Sequence, residues 1–460
     1  MSELTTEGIS FVPGANERVH SIAHRLTPVQ WLVCIVACLG FSFDLYETLM
    51  LPLIVRPVLT VLGKLQPGTP VFNLWVGLLF FVPTATGGVF GLLGGYLTDV
   101  LGRRRVLVWS ILLYAFSACA ASYATSLSQF MILRCATMVG VCVEYVAAVT
   151  WVAELFPDAT RREFMLAFTQ AFYTLGGLVV AAAYYVAVSF GETFPSIRGG
   201  HEAWRYTLLS GLLPAIPLII VRPFLPESPM WKAQRSLHRL KRPSIVELFR
   251  PGLRKATLTT TLLVASTVAL GFGAIQQTVR MVPSLAEVRQ LGAKQIEQTV
   301  SHVQVFQELG GLTGRACFAL FVIRIAAQRR RMRIFLAPAI VVFSWVYFVA
   351  ATRSLTQLYI GIFLATLLFN GIHSFWGNYL PRTFPTRLRG TGESFAMNIG
   401  GRTIGVFAAF LTAQLSGVMP GPNSGARLAY SAGVLALLAC AAALIGSRWL
   451  IEPTAETLPD

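Results

Sequence analysis

Long apolar stretches alternate with short polar ones from one end of the chain to the other. Twelve apolar runs stand out, near 30–56, 73–98, 105–124, 128–155, 164–190, 204–224, 256–282, 299–323, 333–351, 356–381, 393–417 and 428–450. Each holds about 20 residues or more, enough for a helix to cross the hydrocarbon core of a bilayer. The polar segments between them leave no room for a soluble domain. The first run follows a polar stretch containing Arg18, His20, His24 and Arg25. It is too long, and followed by too many others, to be a cleaved signal peptide. The pattern predicts an all-α membrane protein with twelve transmembrane helices.

A repeat divides those helices into two sets. Residues 94–107 read GGYLTDVLGRRRVL, an apolar run that ends on an aspartate, a glycine and three arginines. A decayed copy falls at Arg329-Arg330-Arg331, an offset of 226 from Arg103 (329 − 103). Phe156-Pro157 followed by Arg161 returns as Phe384-Pro385 followed by Arg389, an offset of 228 (384 − 156). Glu227 and Glu452, each just beyond a sixth run, lie 225 apart (452 − 227). Two homologous halves of six helices follow. The expected organisation is an N-terminal segment 1–27, a first bundle 28–224, a loop 225–255, a second bundle 256–451 and a tail 452–460.

Composition fixes the solvent and charge fixes the orientation. Apolar residues make up 55% and charged residues 13%, against roughly a quarter charged in soluble domains. Mean hydropathy is +0.63. Lys and Arg gather at the N-terminus, at 103–105, 161–162, 232–255, 324–333 and 382–389, which are alternate loops. The positive-inside rule then puts both termini and the 225–255 loop in the cytoplasm. Membrane topology accounts for the net charge of +16, and the aromatic residues sit in spans rather than among the basic clusters, so no nucleic-acid partner is expected. The seven cysteines all lie inside apolar runs, with no spacing for a disulfide framework or a metal site. No phosphate-binding GxxxxGK[ST] loop is present, which excludes an ATP-driven pump in this chain alone. Neither an enzyme nor a cofactor is expected. Short loops and short tails fit a bacterial inner membrane.

Gly95, Asp99, Gly102, Arg103, Arg104 and Arg105 form a GxxxDxxGRRR loop between the second and third helices. With six plus six helices, this resembles the major facilitator superfamily of secondary transporters over nearly the whole chain. Further motifs resemble its sugar-porter and metabolite–proton symporter branch. These are Arg134…Glu144 in the fourth helix, Glu154-Leu-Phe-Pro157…Arg161 and Phe384-Pro385-Thr-Arg387-Leu-Arg389-Gly390 after the fourth and tenth, and Pro226-Glu227-Ser228-Pro229-Met-Trp231 after the sixth. The chain departs from the family at Val100, where a basic residue is usual, and at Met138 and Cys142, where small residues are. Ile325 stands where the second-half aspartate would align, so that half must hold its loop in another way.

The resemblance implies a conformational latch at the cytoplasmic ends. Asp99 and the arginines beyond it, with Glu154, Arg161, Glu227, Arg387 and Arg389, would make charge-assisted bonds to the opposite half in one state and release them in the other. The bland alternative is a topogenic arginine cluster beside a helix-ending aspartate.

Ionisable residues inside spans each cost several kcal/mol unless paired or hydrated. Asp44 and Glu47 lie three residues apart, on one face of the first helix. Counted at ~1.5 Å per residue, Asp44 sits roughly 20 Å from the cytoplasmic edge and Arg134 about 9 Å from the outer edge. In a core ~30 Å thick these levels coincide. In the family, a helix-one aspartate facing a helix-four arginine looks like the proton-coupling pair. Burial disfavours a charged carboxylate and a nearby arginine favours it, so separating such a pair moves a proton. Arginine does not deprotonate, leaving Asp44 as carrier and Arg134 as gate. Glu47, further out, is a lesser proton-coupling candidate, with simple hydration as the plainer expectation. Glu144, about 24 Å along its helix, would either carry a proton or tie a bundle together.

Gln276 and Gln277 resemble the glutamines with which sugar porters grip hydroxyls, with Arg280 one turn on. Arg402, and Asn398 one turn below it, lie on the eleventh helix. Asn370, His373, Trp376 and Asn378 lie on the tenth, where histidine is the residue type that titrates near neutral pH. Glu308 and Arg315, seven apart on one face of the eighth, would form a mutual structural network. Substrate is expected near the midplane, gripped by Gln276, Gln277, Arg280, Asn370, His373, Trp376, Asn398 and Arg402. Arg134, Arg280 and Arg402 make the cavity positive, which suits a carboxylate or phosphate more than a neutral sugar. The sequence therefore points to a monomeric, proton-coupled symporter of a small organic anion. A sugar symporter and a proton-driven exporter of drugs or metabolites stand as alternatives. A transporter-like sensor would carry a long signalling tail.

Overall fold

The computed structural model describes residues 27–156, 165, 168–169, 172–213, 215–221, 225–228, 231–232, 244–322, 325, 327–385 and 388–452; for a few helical residues, Gly95, Tyr96 and Asp99 among them, only the backbone. Arg161 and Arg387 lie outside the described residues.

Ten helices are long and apolar enough to cross a membrane among the described residues. The first span runs Pro28–Gly63, the second Pro70–Leu101, the third Arg103–Ser122 and the fourth Leu127–Leu155. The fifth is Leu175–Phe190 after a short 3-10 turn. The seventh begins as Pro251–Gly273, the ninth is Gln328–Trp345 continued by a π turn, and the tenth is Leu355–Tyr379. The eleventh runs from Arg389 to Leu415 in three pieces, and the twelfth is Ser424–Gly446.

The other two predicted spans are helical but depart from the long apolar form. The sixth is two short helices, Ala203–Ser210 and Ala215–Val221. The eighth, Ala293–Leu320, is long, but Glu297, Glu308, Arg315 and several glutamines lower its hydropathy. The fold is twelve membrane helices in a six-plus-six arrangement.

The repeat is visible in the packing. Spans two and eleven cross one side of the interface between halves, where Gly88 and Gly91 pack on Asn398. Spans five and eight cross the other side, where the Ser301 hydroxyl donates to the Ala181 carbonyl at 2.6 Å. Within each half, a glycine lets two backbones touch. A Cβ on Gly176 would collide with the Ser42 carbonyl of span one, and a Cβ on Gly400 with the Thr261 carbonyl of span seven. Gly176 and Gly400 are 224 apart (400 − 176), the repeat distance. Small residues are how membrane helices reach such separations.

At the basic end, matching carboxylate contacts occur in the two halves. Glu227 accepts from the backbone N–H of Arg104 at 3.1 Å, at the start of span three. Glu452 accepts from the N–H of Arg329 at 3.0 Å and of Gln328 at 2.8 Å, at the start of span nine. Both offsets are 225 (329 − 104 and 452 − 227), so the two carboxylates are repeat equivalents. Each satisfies helix N-terminal donors and meets the positive end of the helix dipole. This is how the second half holds its loop without an aspartate at Ile325. Arg103 donates to Glu154 at 2.8 Å and to the Thr98 carbonyl at 3.1 Å, and Ser228 donates to Glu154 at 2.6 Å. The bonds described for Arg103, Arg104, Glu154 and Glu227 lie at this end of the first half. Gly102, at φ 97°, turns the chain here, and a Cβ on it would overlap the Glu227 carboxylate. Arg105 is exposed, and of Asp99, Gly95 and Arg389 only the backbone is described.

Among the described residues, several bonds join the halves at the end opposite the basic loops. Asn73 donates to Ser416 at 3.1 Å, Tyr184 to Glu297 at 2.7 Å, and Lys294 and Gln298 bond Ser189 at 2.7 and 2.8 Å. That end of the molecule is closed.

Candidate functional site between the bundles

Two breaks in helical geometry set up the middle of the interface. Span seven stops at Gly273, and Ile275–Arg280 continues as a tighter 3-10 turn. Backbone carbonyls freed inside a membrane need partners. Thr412 of span eleven donates to the Gly273 carbonyl at 2.7 Å, and Gln277 donates to that of Phe272 at 2.8 Å. In span eleven, Phe395–Gly405 is a π-helix, and it carries Asn398 and Arg402. Such widened turns are frequent at functional positions.

The expected pairing of Asp44 with Arg134 is not the one formed. Arg134, 1% exposed, donates to Glu47 Oε2 at 2.9 Å and to the Glu47 backbone carbonyl at 2.7 Å. Glu47, expected to be hydrated, is fully buried. Both residues belong to the first half, so this pair braces spans one and four. Asp44 instead accepts from Arg402 at 3.1 Å, a bond between the two halves. Levels along a helix set which residues are at one depth; azimuth decided which carboxylate met which arginine. Asp44 is fully buried while the Arg402 side chain keeps 21% exposure.

Neither ion is saturated. Asp44 Oδ1 and one terminal guanidinium nitrogen of Arg402 have no protein hydrogen-bond partner. Arg402 also lies over the Tyr145 ring at 5.6 Å, and Arg315 lies over the Tyr173 ring at 5.7 Å. Each is a second-half arginine on a first-half tyrosine. Arg315 Nε is likewise buried without a partner. Arg315, Tyr145 and Tyr173 were not among the expected substrate residues. Arg315 was read as the partner of Glu308, but Glu308 accepts from Gln304 and Gln307 at 2.9 and 3.0 Å and packs on Gly177.

Glu144 is fully buried, and neither carboxyl oxygen has a protein hydrogen-bond partner. Its carboxyl lies against the Gly40 backbone. No described hydrogen bond from Glu144 ties a bundle together.

The other expected substrate residues divide. Gln277 spends its carbonyl on Arg280 and its amide on span seven. Gln276 is buried with its side-chain oxygen unpartnered. Trp376 is core, donating to Thr267 at 2.9 Å, rather than lining a cavity. His373 bonds the Phe369 carbonyl at 3.4 Å and packs on the Phe369 ring. Asn370 bonds the Thr366 carbonyl at 3.3 Å, and Asn398 bonds Ser394 at 3.1 Å. Asn378 accepts from Arg331 at 2.9 Å. Arg280 is not at the midplane at all: it lines a cavity near the closed end. No group of three or more potential metal ligands occurs among the described residues.

Two helix bundles meeting across buried charges, with broken helices at mid-membrane, define a transporter of the alternating-access kind. The sequence profile of the Major Facilitator Superfamily matches residues 31–409, and the chain belongs to that family. It is a multi-pass integral membrane transporter of small molecules and not an enzyme.

Over 395 residues it is 24% identical to the sialic acid transporter NanX of Escherichia coli (strain K12), covering 85% of this chain and 89% of that protein. Over 417 residues it is 28% identical to a probable 4-methylmuconolactone transporter of Cupriavidus pinatubonensis, covering 90% and 88%. Among solved structures, that of a D-xylose–proton symporter superposes with a TM-score of 0.71 at 19% identity, covering 93% of this chain and 99% of the symporter. At that identity the likeness speaks for the fold.

Proposed function

We propose that the protein imports a small organic anion together with a proton. The observation that carries this reading is the Asp44–Arg402 bond across the bundle interface. An ionised Asp44 holds the halves together through a charge-assisted bond. Protonation at Asp44, whose Oδ1 has no protein partner, removes the charge and weakens that tie. Arg402 is then freed for an anion, and the bundles can rock. Proton and anion loading favour each other because each relieves a charge that the other leaves behind.

The anion preference rests on the guanidinium donors left over. Arg402, over the Tyr145 ring, and Arg315, over the Tyr173 ring, each keep a buried N–H nitrogen without a hydrogen-bond partner among the described residues. Arginine suits a planar carboxylate, and the rings would flank a flat acid. One relative is named for a sialic acid, which agrees with an acidic substrate. The sugar-symporter reading leaned on Gln276 and Gln277 and on the Pro226-Glu227-Ser228-Pro229 loop; of these, Gln277 is occupied by its own helix and Arg280. We place both termini and the 225–255 loop in the cytoplasm of a bacterial inner membrane, with 28–224 and 256–451 rocking as the two halves of a working monomer.

Solute-triggered proton uptake into proteoliposomes tests this reading, with monocarboxylates, sugar acids and neutral sugars compared at equal concentration. Alkalinisation outside on adding carboxylates alone is the expected result. A response to neutral sugars alone would overturn it, and so would export of the acid against an inward proton gradient.

A further inference from the structure

A second cluster of arginines lies away from the midplane pair. At the closed end, a cavity of about 110 Å³ lies between the halves, where Arg56 and Asn73 of the first face Arg280, Ser284, Ser416 and Arg427 of the second. That is several times the ~10–15 Å³ that one water needs. Three of the lining residues are arginines and none is acidic. The nearby acid is already engaged: Glu297 accepts from Tyr184 at 2.7 Å and lies 3.6 Å from Arg56. Arg280 is held by a neutral partner, Gln277. Arg427 Nε is buried with no protein hydrogen-bond partner, and Arg427 makes no ion pair among the described residues. Three guanidinium groups, of which Arg56 is paired with Glu297, and four hydroxyl or amide side chains (Asn73, Ser284, Ser416 and Ser424) thus surround a space in which Arg280 and Arg427 have no acidic partner among the described residues.

We infer that this cavity is a binding site for a small oxyanion, separate from the midplane site, and that an anion there favours the conformation in which this end is closed. The site draws from both halves. A tetrahedral or planar oxyanion in it would accept from Arg56 on one side and from Arg280 and Arg427 on the other. It would cross-link the bundles beside the Asn73–Ser416 bond. Opening this end parts the two groups of donors and dissolves the site, so a bound anion opposes opening. The ligand is either an inorganic oxyanion from the medium or the carboxylate of a transported acid. The inference does not depend on the transport reading, since the site is defined by residues outside the midplane pair.

The test is anion binding to the purified full-length protein in detergent, with sodium phosphate, sodium sulfate and a carboxylate, at ionic strength matched with chloride. The unfolding midpoint is one readout. The other is the distance distribution between spin labels at Gln66 and Val418, exposed residues of opposite halves near this end. Arg427→Gln and Arg427→Lys are compared with wild type. The expected result is stabilisation by phosphate or sulfate, a larger share of the short distance, and a loss of apparent affinity of about tenfold in Arg427→Gln that Arg427→Lys partly restores. Stabilisation by the carboxylate alone, weakened in the same way by Arg427→Gln, supports the site and assigns it to the transported acid. Stabilisation by no anion, equal stabilisation in Arg427→Gln, or an anion that lengthens the label distance would each overturn the inference.

Discussion

Asp44 and Arg402, 358 residues apart in sequence, meet at 3.1 Å across the interface between the two halves, and neither is fully satisfied by the contact. Arg134 in the same region is occupied by Glu47. A pair between the halves and a pair within one half therefore sit side by side on one face of the first span. The pair within one half has no reason to break as the halves move. The other lies where they must separate.

Glu47→Gln and Arg134→Gln should behave as a structural pair. Removing one partner of a buried ion pair costs about 3–5 kcal/mol. A double-mutant cycle on thermal unfolding should give a coupling energy within roughly 0.5–3 kcal/mol between Glu47 and Arg134. The same cycle between Asp44 and Arg134 should give a clearly smaller one. Strong Asp44–Arg134 coupling would restore the pairing that the helix levels suggested.

The equivalence of Glu227 and Glu452 predicts matched effects. Each carboxylate caps a helix N-terminus, so Glu227→Ala and Glu452→Ala should each destabilise by about 0.5–2 kcal/mol. Gly102→Ala should cost at least as much as Glu227→Ala, because the new Cβ meets a positive φ and the carboxylate together. Unfolding midpoints in detergent decide this. A silent Glu452→Ala would break the proposed equivalence.

Gly176→Val and Gly400→Val should both disrupt packing, since even a Cβ at either position meets a facing backbone carbonyl. Overpacking of this kind costs about 1–3 kcal/mol. Reduced yield or melting temperature is expected for both, along with slower transport at saturating substrate. Wild-type stability in either variant would contradict the close approach of spans one and five or of seven and eleven.

Arg315→Gln should raise the substrate concentration for half-maximal uptake by about tenfold, the loss of one charge-assisted contact. Trp376→Phe, which changes a core hydrogen bond to Thr267, should act on stability instead. Uptake titrations beside melting curves separate the two. An Arg315→Gln variant with unchanged apparent affinity would remove Arg315 from the site.

Hydropathy made the spans legible, and the offset of about 225 made the two halves legible, because both are properties of composition and spacing. The eighth span shows the limit of hydropathy: Glu297 meets Tyr184, Glu308 packs on Gly177 and Arg315 lies over Tyr173, so its sequence is polar although it packs among the others. Helix levels matched Asp44 with Arg134, but a rise per residue carries no azimuth. Three residues shift a side chain by ~4.5 Å and most of a turn, enough for a long arginine to choose Glu47 over Asp44. Arg280 was grouped with the midplane residues because it follows Gln276 and Gln277 by one turn. The break after Gly273 and the 3-10 turn carry it to the closed end instead. Arg315 was hidden by the plausible partner seven residues before it, and only the fold shows Tyr173 beneath its guanidinium.

The most direct test of the central claim compares two transport modes in Asp44→Asn proteoliposomes, using a carboxylate that moves protons with the wild type. Asparagine keeps a hydrogen-bond acceptor toward Arg402 but carries neither charge nor transferable proton. The account predicts that the variant still exchanges labelled for unlabelled carboxylate across the membrane, yet neither accumulates it on an inward proton gradient nor alkalinises the outside. Accumulation and proton movement at the wild-type level would show that Asp44 is not the proton carrier.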